Sequence, residues 1–243
     1  MEWLIILPIA FVAGIVGGVV GFGAGVIMVP ILVWSFGAKA AIPIMAIAAT
    51  MANGTRVFIW WREVDWRAAF AYSITAVPFA ILGSSTYVVL NAHAVTLTLG
   101  IFLILVVPIR YGLARINVKI SRWHLSIVGA AIGFLTGLVA STGPLNAPFF
   151  LMVGLTKGAY IATEALGSIA VYLTKTAVFS IAGITTVENI LRGLAVGSGL
   201  MAGSFVSKAI VEKMAPGDFQ FVMDIVVLGA GVAMLVSGIY GGA

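Results

Sequence analysis

Long apolar stretches separated by short polar or charged breaks run along the whole chain. Eight such stretches lie near residues 3–36, 40–61, 67–90, 93–110, 124–155, 159–183, 190–210 and 218–240. A membrane helix needs roughly 20 apolar residues, so this pattern predicts a chain of membrane-spanning helices. All six tryptophans lie at the ends of these stretches, where indole rings favour the level of the lipid headgroups.

The first and fifth stretches are longer than the others, and each contains glycine and proline near its middle. The first reads Gly21-Phe22-Gly23-Ala24-Gly25 before Pro30, and the fifth reads Ala140-Ser141-Thr142-Gly143-Pro144 before Pro148. A glycine costs about 1 kcal/mol and a proline about 3 kcal/mol inside a helix. We therefore expect two helix–loop–helix hairpins that enter the membrane and turn back, with their loops buried in protein or facing a watery cavity.

The two broken stretches also resemble each other. The register that aligns Pro30 with Pro148 aligns three further identical pairs without a gap: Gly25 with Gly143, Lys39 with Lys157, and Ala41 with Ala159. The predicted fold is an all-α integral membrane protein with a single membrane domain. It has two repeats, 1–117 and 118–243, each with a broken first segment and three plain helices. Broken helices at matching positions of two repeats point to the binding site of a transporter.

Basic residues indicate how the two repeats are oriented. If both broken segments are re-entrant, the repeats are inverted and ten cations share one side, with only Lys39 and Arg192 opposite. If the segments simply cross, the repeats are parallel and the division is eight to four. Cytoplasmic loops are enriched in Lys and Arg, which favours inverted repeats with both termini outside. Lys175 is left out of both counts because it lies within a span.

Composition restricts the class of protein. Of 243 residues, 62% are hydrophobic and 9% charged, against about 25% charged in a soluble domain. An ordinary globular enzyme, a disordered chain and a nucleic-acid-binding domain are therefore excluded. The chain has no cysteine, and it contains no nucleophile triad, phosphate-binding loop or metal-ligand pattern. We expect neither an enzyme nor a protein with a metal or other cofactor.

Small residues spaced four apart mark faces where helices approach closely in lipid. These pairs and triplets are Gly14/Gly18, Gly17/Gly21, Gly129/Gly133/Gly137, Gly193/Gly197 and Gly199/Gly203. Packing within one bundle is the favoured interpretation, and a homodimer through the glycine-rich faces is the alternative.

The two breaks supply candidate anion sites. A helix that begins within the membrane offers free backbone N–H groups and the positive end of its dipole. Such helices are expected near Gly25 and Leu145. The candidate substrate-binding residues of the breaks are Gly23, Ala24, Gly25, Ser141, Thr142, Gly143 and Asn146. The alternative is that these glycines only allow helices to cross tightly.

The sixth stretch contains charged residues. Glu164, Ser168, Tyr172 and Lys175 follow a helical spacing that places them on one face. A charge inside a membrane is costly and usually functional, so Lys175 and Tyr172 are candidate substrate-binding residues and Glu164 is a candidate for proton coupling. The alternatives are that Glu164 and Lys175 form a structural pair, or that Glu164 lies at the membrane interface.

The second stretch supplies a counterpart. Thr50, Asn53 and Arg56 recur every three residues in otherwise apolar sequence. Asn53 and Arg56 are candidate substrate-binding residues. Arg56 lies close to Arg62, so its side chain could instead extend to the headgroups.

Several of these residues form a known pattern. The run Gly21-Phe22-Gly23-Ala24-Gly25-Val26-Ile27-Met28-Val29-Pro30-Ile31-Leu32 resembles the glycine-rich signature of the TauE/SafE sulfite exporter family, also called TSUP. The loop Val64-Asp65-Trp66-Arg67 and a degenerate second motif at 137–151 are similar as well. The chain departs from the family pattern at Ala24, which replaces the middle glycine, and at the second glycine cluster. The resemblance implies a carrier of sulfite, sulfonates or related anions, often an exporter, in the inner (plasma) membrane of bacteria or archaea.

Together these features predict a secondary transporter for small sulfur-containing or organic anions, driven by the proton gradient, with alternating access between the two broken segments. Its expected partners are a small anionic substrate and membrane lipid, and no nucleic acid. A passive aquaporin-like channel is the alternative, because that class also pairs half-helices in inverted repeats. A non-transporting membrane subunit is a second rival, although it gives no reason to place Lys175 and Asn53 within the bilayer.

Overall fold

The computed structural model of the chain describes residues 2–114 and 119–211. Within these ranges the regular structure is entirely helical. The helices are α1 (Trp3–Val20), α2 (Ala24–Phe36), α3 (Ala38–Ile59), α4 (Trp66–Val89), α5 (Ala92–Ala114), α6 (His124–Leu138), α7 (Gly143–Met152), α8 (Lys157–Ile181) and α9 (Val187–Val211), with a short 3-10 turn at Trp61–Glu63. The predicted eighth stretch, 218–240, lies outside the described residues.

The two long apolar stretches are each divided into two helices at the predicted places. The first is interrupted between α1 and α2, where Gly21 and Gly23 have φ of 83° and 107°. Side chains rarely adopt such angles, so glycine suits this turn. The second is interrupted between α6 and α7. Pro144 lies in the first turn of α7, where its missing N–H leaves no helical bond unmade.

Both broken segments return to the end of the bundle at which they begin. In the first, the rings of Trp3 and Phe36 lie 5.8 Å apart, which joins the start of α1 to the end of α2. In the second, the Ile120 N–H donates to the carbonyl oxygen of Met152 at 3.1 Å, which joins the approach to α6 to the end of α7.

The helices and their outer surface fit a membrane protein. Four of the described helices, α1, α3, α4 and α9, are long and apolar enough to cross a bilayer. Helix α8 has 25 residues but carries Glu164 and Lys175. Large apolar side chains are exposed on the outside of the bundle, among them Leu4, Trp34, Phe58, Ile127 and Ile181. Such a surface is typical of a protein that faces lipid.

Helices α3 and α8 pack against each other. Glycine-rich faces allow the neighbouring helices to approach closely. Helix α9 packs on α1 and α3, while α4 packs on α6 and α8. A Cβ added at Gly133 would meet the backbone of Ala76, and one added at Gly14 would meet that of Leu200. These glycine faces are thus covered by helices of the same chain, and the homodimer stays a prediction.

Candidate functional site

A narrow polar cavity lies where the two breaks meet. Ten of the twelve predicted site residues line it: Gly23, Ala24, Gly25, Asn53, Arg56, Ser141, Thr142, Gly143, Glu164 and Tyr172. Its volume is about 20 Å³, which is room for roughly one water molecule. A solute larger than water therefore needs a more open arrangement.

The N-termini of two helices form one wall of the cavity. Residues Gly23 and Thr142 are the N-caps of α2 and α7, and neither helix has a side-chain hydrogen bond at its cap. The two breaks touch, because a Cβ added at Gly25 would lie 2.5 Å from Cβ of Ser141. The positive ends of two helix dipoles therefore converge on the cavity, and such ends favour negative charge.

Arg56 is the cation that faces this cavity. Its side chain is buried, and its Nη1 donates to the carbonyl oxygen of Gly21 at 2.6 Å. The same nitrogen lies 3.8 Å from Oε2 of Glu164, whereas Nε has no hydrogen-bond partner. Of the two interpretations of Arg56, the structure favours the buried one, because the side chain lies inside the bundle and contacts the first break.

Glu164 is also buried inside the bundle. Its Oε1 accepts hydrogen bonds from the Ser168 hydroxyl at 2.8 Å and from the Asn146 amide at 3.3 Å. The Asn146 amide also donates to the Tyr72 hydroxyl at 3.1 Å. Asn146 does not line the cavity itself but connects Glu164 to helix α4.

Buried polar atoms without partners concentrate around this cavity. They include Oδ1 of Asn53, Oδ1 of Asn146 and the hydroxyl of Tyr160, together with Nε of Arg56. Buried polar groups are usually hydrogen-bonded, so a cluster of unpaired ones marks a place where a polar ligand or water belongs.

Lys175 is the other predicted site residue that does not line the cavity. It is completely buried, and its ammonium donates to the carbonyl oxygens of Thr136 at 2.7 Å and Val139 at 2.5 Å. It makes no ion pair with Glu164, its neighbour on the same predicted helix face. Direct substrate binding by Lys175 stays a prediction that this geometry does not favour.

Three polar residues around the cavity were not predicted as site residues. Ser168 lies on the face of α8 that the sequence pattern had already identified, so its spacing was a usable signal. Tyr72 and Tyr160 had no such signal, because a tyrosine within an apolar span resembles any other large core residue. Among the described residues, no three His, Asp or Glu side chains are grouped closely enough to hold a metal ion.

Comparison with known proteins identifies the family of the chain. The chain is 23% identical over 276 residues to the probable membrane transporter protein YunE of Bacillus subtilis (strain 168), covering 99% of this chain and all of that protein. No solved structure matches the chain. The family model described as sulfite exporter TauE/SafE matches residues 6–234. The chain therefore belongs to the sulfite exporter TauE/SafE family and is a membrane transporter, not an enzyme.

Proposed function

We propose that this protein is a secondary transporter, working as an exporter, of small sulfur-containing or organic anions such as sulfite or sulfonates. The observation that carries the proposal is the buried guanidinium of Arg56, which faces the cavity with its Nε unpaired. The family description supports a sulfur oxyanion and export. The proposed location is the inner (plasma) membrane of a bacterial or archaeal cell.

The cavity offers an anion several kinds of donor at once. Nε of Arg56 is buried without a partner and can donate to an anion. Asn53 lines the cavity one turn away on the same helix, where its NH₂ group is the part that could donate. Across the cavity are Ser141 and Thr142, at the N-terminus of α7. Charge-assisted hydrogen bonds from a guanidinium are strong, and helix N-termini add positive potential. An oxyanion is the ligand that matches this set.

The ion pair between Arg56 and Glu164 supports coupling to protons. With both groups ionised, the charges of the pair cancel, so an added anion brings an uncompensated negative charge into a low-dielectric site. A proton on Glu164 restores neutrality when the anion binds Arg56. The other titratable groups that interact with Glu164 are the neutral phenols Tyr72, Tyr160 and Tyr172. Anion and proton are thus expected to bind together and to cross in the same direction, so export follows the outward gradient of the anion and carries a proton with it.

The packing of the helices supports two repeats, 1–117 and 118–243. In the two repeats, α1 corresponds to α6, α3 to α8 and α4 to α9. The packing of α1 on α9 therefore corresponds to that of α6 on α4, and the packing of α9 on α3 corresponds to that of α4 on α8. Helix α2 contacts α3 as α7 contacts α8. Each of these contacts thus has a counterpart when the helices of the two repeats are exchanged, as a twofold relation between them requires.

The ends of the broken segments support an inverted arrangement of these repeats. The first segment ends at Phe36, beside the start of α3. The second segment begins at the opposite end of the bundle, beyond the end of α3, where Arg122 pairs with Asp65 at 2.5 Å. The basic residues of α9 identify the same two ends of the bundle. Lys208 stacks 5.5 Å from the ring of Trp60 at that far end, whereas Arg192 stacks 4.2 Å from the ring of Phe36. Rocking of inverted repeats about a shared site is a common basis of alternating access.

Anion binding and flux test the proposal. Purified protein is heated with sulfite, sulfate, short sulfonates and carboxylates, because a ligand of the folded state raises its melting temperature by mass action. The stabilising anion is then assayed in liposomes, where saturable flux driven by a pH gradient is expected. No stabilisation by any of these anions would contradict the proposal.

Two variants with matched controls separate binding from coupling. Arg56→Gln should weaken anion binding about tenfold or more, because a charge-assisted hydrogen bond is lost; Arg62→Gln, at an exposed arginine, is its control. Glu164→Gln should keep anion binding but lose accumulation driven by the pH gradient, and exposed Glu63→Gln should keep both. Unchanged affinity in Arg56→Gln would refute the site, and unchanged coupling in Glu164→Gln would refute the proton role.

The aquaporin-like channel is the less favoured alternative. The side chain of Asn146, which follows the second break, is engaged with Tyr72 and Glu164 and does not line the cavity. Flux through a channel would not saturate and would ignore the pH gradient. The liposome assay therefore distinguishes the two functions directly.

A further inference from the structure

Lys175 is a buried cation whose position the anion site does not explain. Its side chain is 0% exposed, and its described contacts are two backbone carbonyl oxygens, of Thr136 and Val139, and the ring of Phe179 at 5.6 Å. Among the described residues it forms no ion pair with a carboxylate. Because its hydrogen-bond acceptors are backbone carbonyl oxygens, the positive charge of Lys175 can stabilise those carbonyl groups.

The carbonyls in question belong to the end of a helix inside the membrane. Helix α6 ends at Leu138, and the last carbonyls of a helix have no partner within it. They also carry the negative end of the helix dipole, which a cation stabilises. In lipid no water is available to satisfy them, so another part of the protein must do so. Lys175 supplies two of the hydrogen bonds.

The other repeat contains the same arrangement. The register that aligns Pro30 with Pro148 also aligns Gly21 with Val139. The carbonyl of Gly21, at the end of α1, accepts from Arg56 on α3, just as that of Val139 accepts from Lys175 on α8. Arg56 and Lys175 lie within one position of each other in this register. Each break is thus held by a cation from the span that follows it.

The two cations differ in what else they touch. Arg56 lines the cavity and pairs with Glu164, whereas Lys175 does neither. We infer that Lys175 is a positioning residue that holds the loop 139–142 at the end of α6, so that Ser141 and Thr142 line the cavity. This role rests on the proposed function in one respect, namely that this cavity is the transport site. The hydroxyls of Thr136 and Thr142 bond to each other and tie the same loop to α6.

Thiol labelling tests this role, because the chain has no cysteine of its own. Ser141→Cys places a probe in the loop held by Lys175, and Ala24→Cys places a control probe in the other break. With a small water-soluble thiol reagent and no anion present, Lys175→Met should speed labelling at 141 by about tenfold or more, as expected from the loss of a charged hydrogen bond. Labelling at 24 should stay at the parent rate.

Further variants separate local positioning from general loosening. Lys175→Arg keeps the charge and its donors and should restore slow labelling at 141, whereas Lys157→Met, at an exposed lysine of the same helix, should have no effect. If Lys175→Met does not fold, Lys175→Gln carries the same test. Parent-rate labelling at 141, or equal acceleration at both probes, would overturn the inference. Since no anion is used, failure of anion binding would count only against the proposed function.

Discussion

Single glycines determine how closely neighbouring helices approach in this bundle. At Gly133 on α6, an added Cβ would lie 2.7 Å from Cα of Ala76 on α4 and would also meet the carbonyl oxygen of that residue. Backbone atoms cannot move aside as a flexible side chain can. The sequence pattern alone indicated close packing at this glycine, but its partner became known only from the fold.

Gly133→Ala should therefore destabilise the protein. Overpacking in a well-packed interior typically costs about 1–3 kcal/mol, seen here as a lower melting temperature in detergent. Gly54→Ala is the matched control, because no atom lies within 4 Å of the Cβ it would add. Equal stability of the two variants would show that α4 and α6 are not in such close contact.

At the scale of elements, local signals located the helices well. The predicted stretches and the observed helices mostly differ by only a few residues at their ends. The first break falls in the glycine cluster at 21–25, and the second falls just before Gly143 and Pro144. These signals are local because a proline or a glycine cluster weakens a helix wherever it occurs. The start of α4 depends in addition on a tertiary contact. Asp65 accepts from the Ala68 N–H at 3.1 Å and from Nε of Arg122 at 2.5 Å.

The charge of Asp65 should make stability depend on pH at the start of α4. Partial burial acts to raise the pKa of this carboxyl, but the hydrogen bond and charge of Arg122 and the Ala68 N–H outweigh it and hold the pKa below its usual value. The unfolded carboxyl titrates near pH 3.9. The folded state thus binds this proton less readily than the unfolded state does. The contribution of the ionised carboxyl to the free energy of unfolding is therefore present above about pH 4 and is lost as pH falls through the lowered pKa.

Asp65→Asn measures this contribution, because asparagine also caps helices but does not titrate. The parent should be more stable than Asp65→Asn at neutral pH, by less than about 1 kcal/mol since the Arg122 side chain is 53% exposed. The difference in melting temperature should disappear as the pH falls below about 4. A difference that stays constant down to pH 2 would rule out the pair.

At the scale of the whole molecule, the proposed topology depends on the side of the membrane that each loop reaches. Near the end of α4, the Tyr87 hydroxyl donates to the Ala38 carbonyl at 3.2 Å, which places the end of α4 beside the start of α3. Helix α5 follows directly, so it begins at this same end of the bundle. Residue 121 lies at the opposite end, beside the Arg122–Asp65 pair. The positive-inside rule assigns this second end to the cytoplasm.

Ala92→Cys and Ser121→Cys test this topology in the cysteine-free chain, and neither substitution changes a charge. Both residues are exposed. An impermeant thiol reagent applied to intact cells should label Ala92→Cys at once and Ser121→Cys only after permeabilisation. The reverse pattern would invert the orientation. Labelling of both from outside would show that α5 does not separate the two ends.

The sequence by itself determined the membrane helices, the two breaks and their internal similarity. These features depend on hydrophobicity, glycine and proline, which act over a few neighbouring residues. The tertiary structure decided which buried charges share a site. Lys175 and Arg56 were both candidate substrate-binding residues on the sequence, yet only Arg56 faces the cavity with Glu164, whereas Lys175 donates to carbonyl oxygens at the end of α6. The rotation of a helix and the reach of a long side chain are fixed by packing against other helices, and no local pattern encodes them.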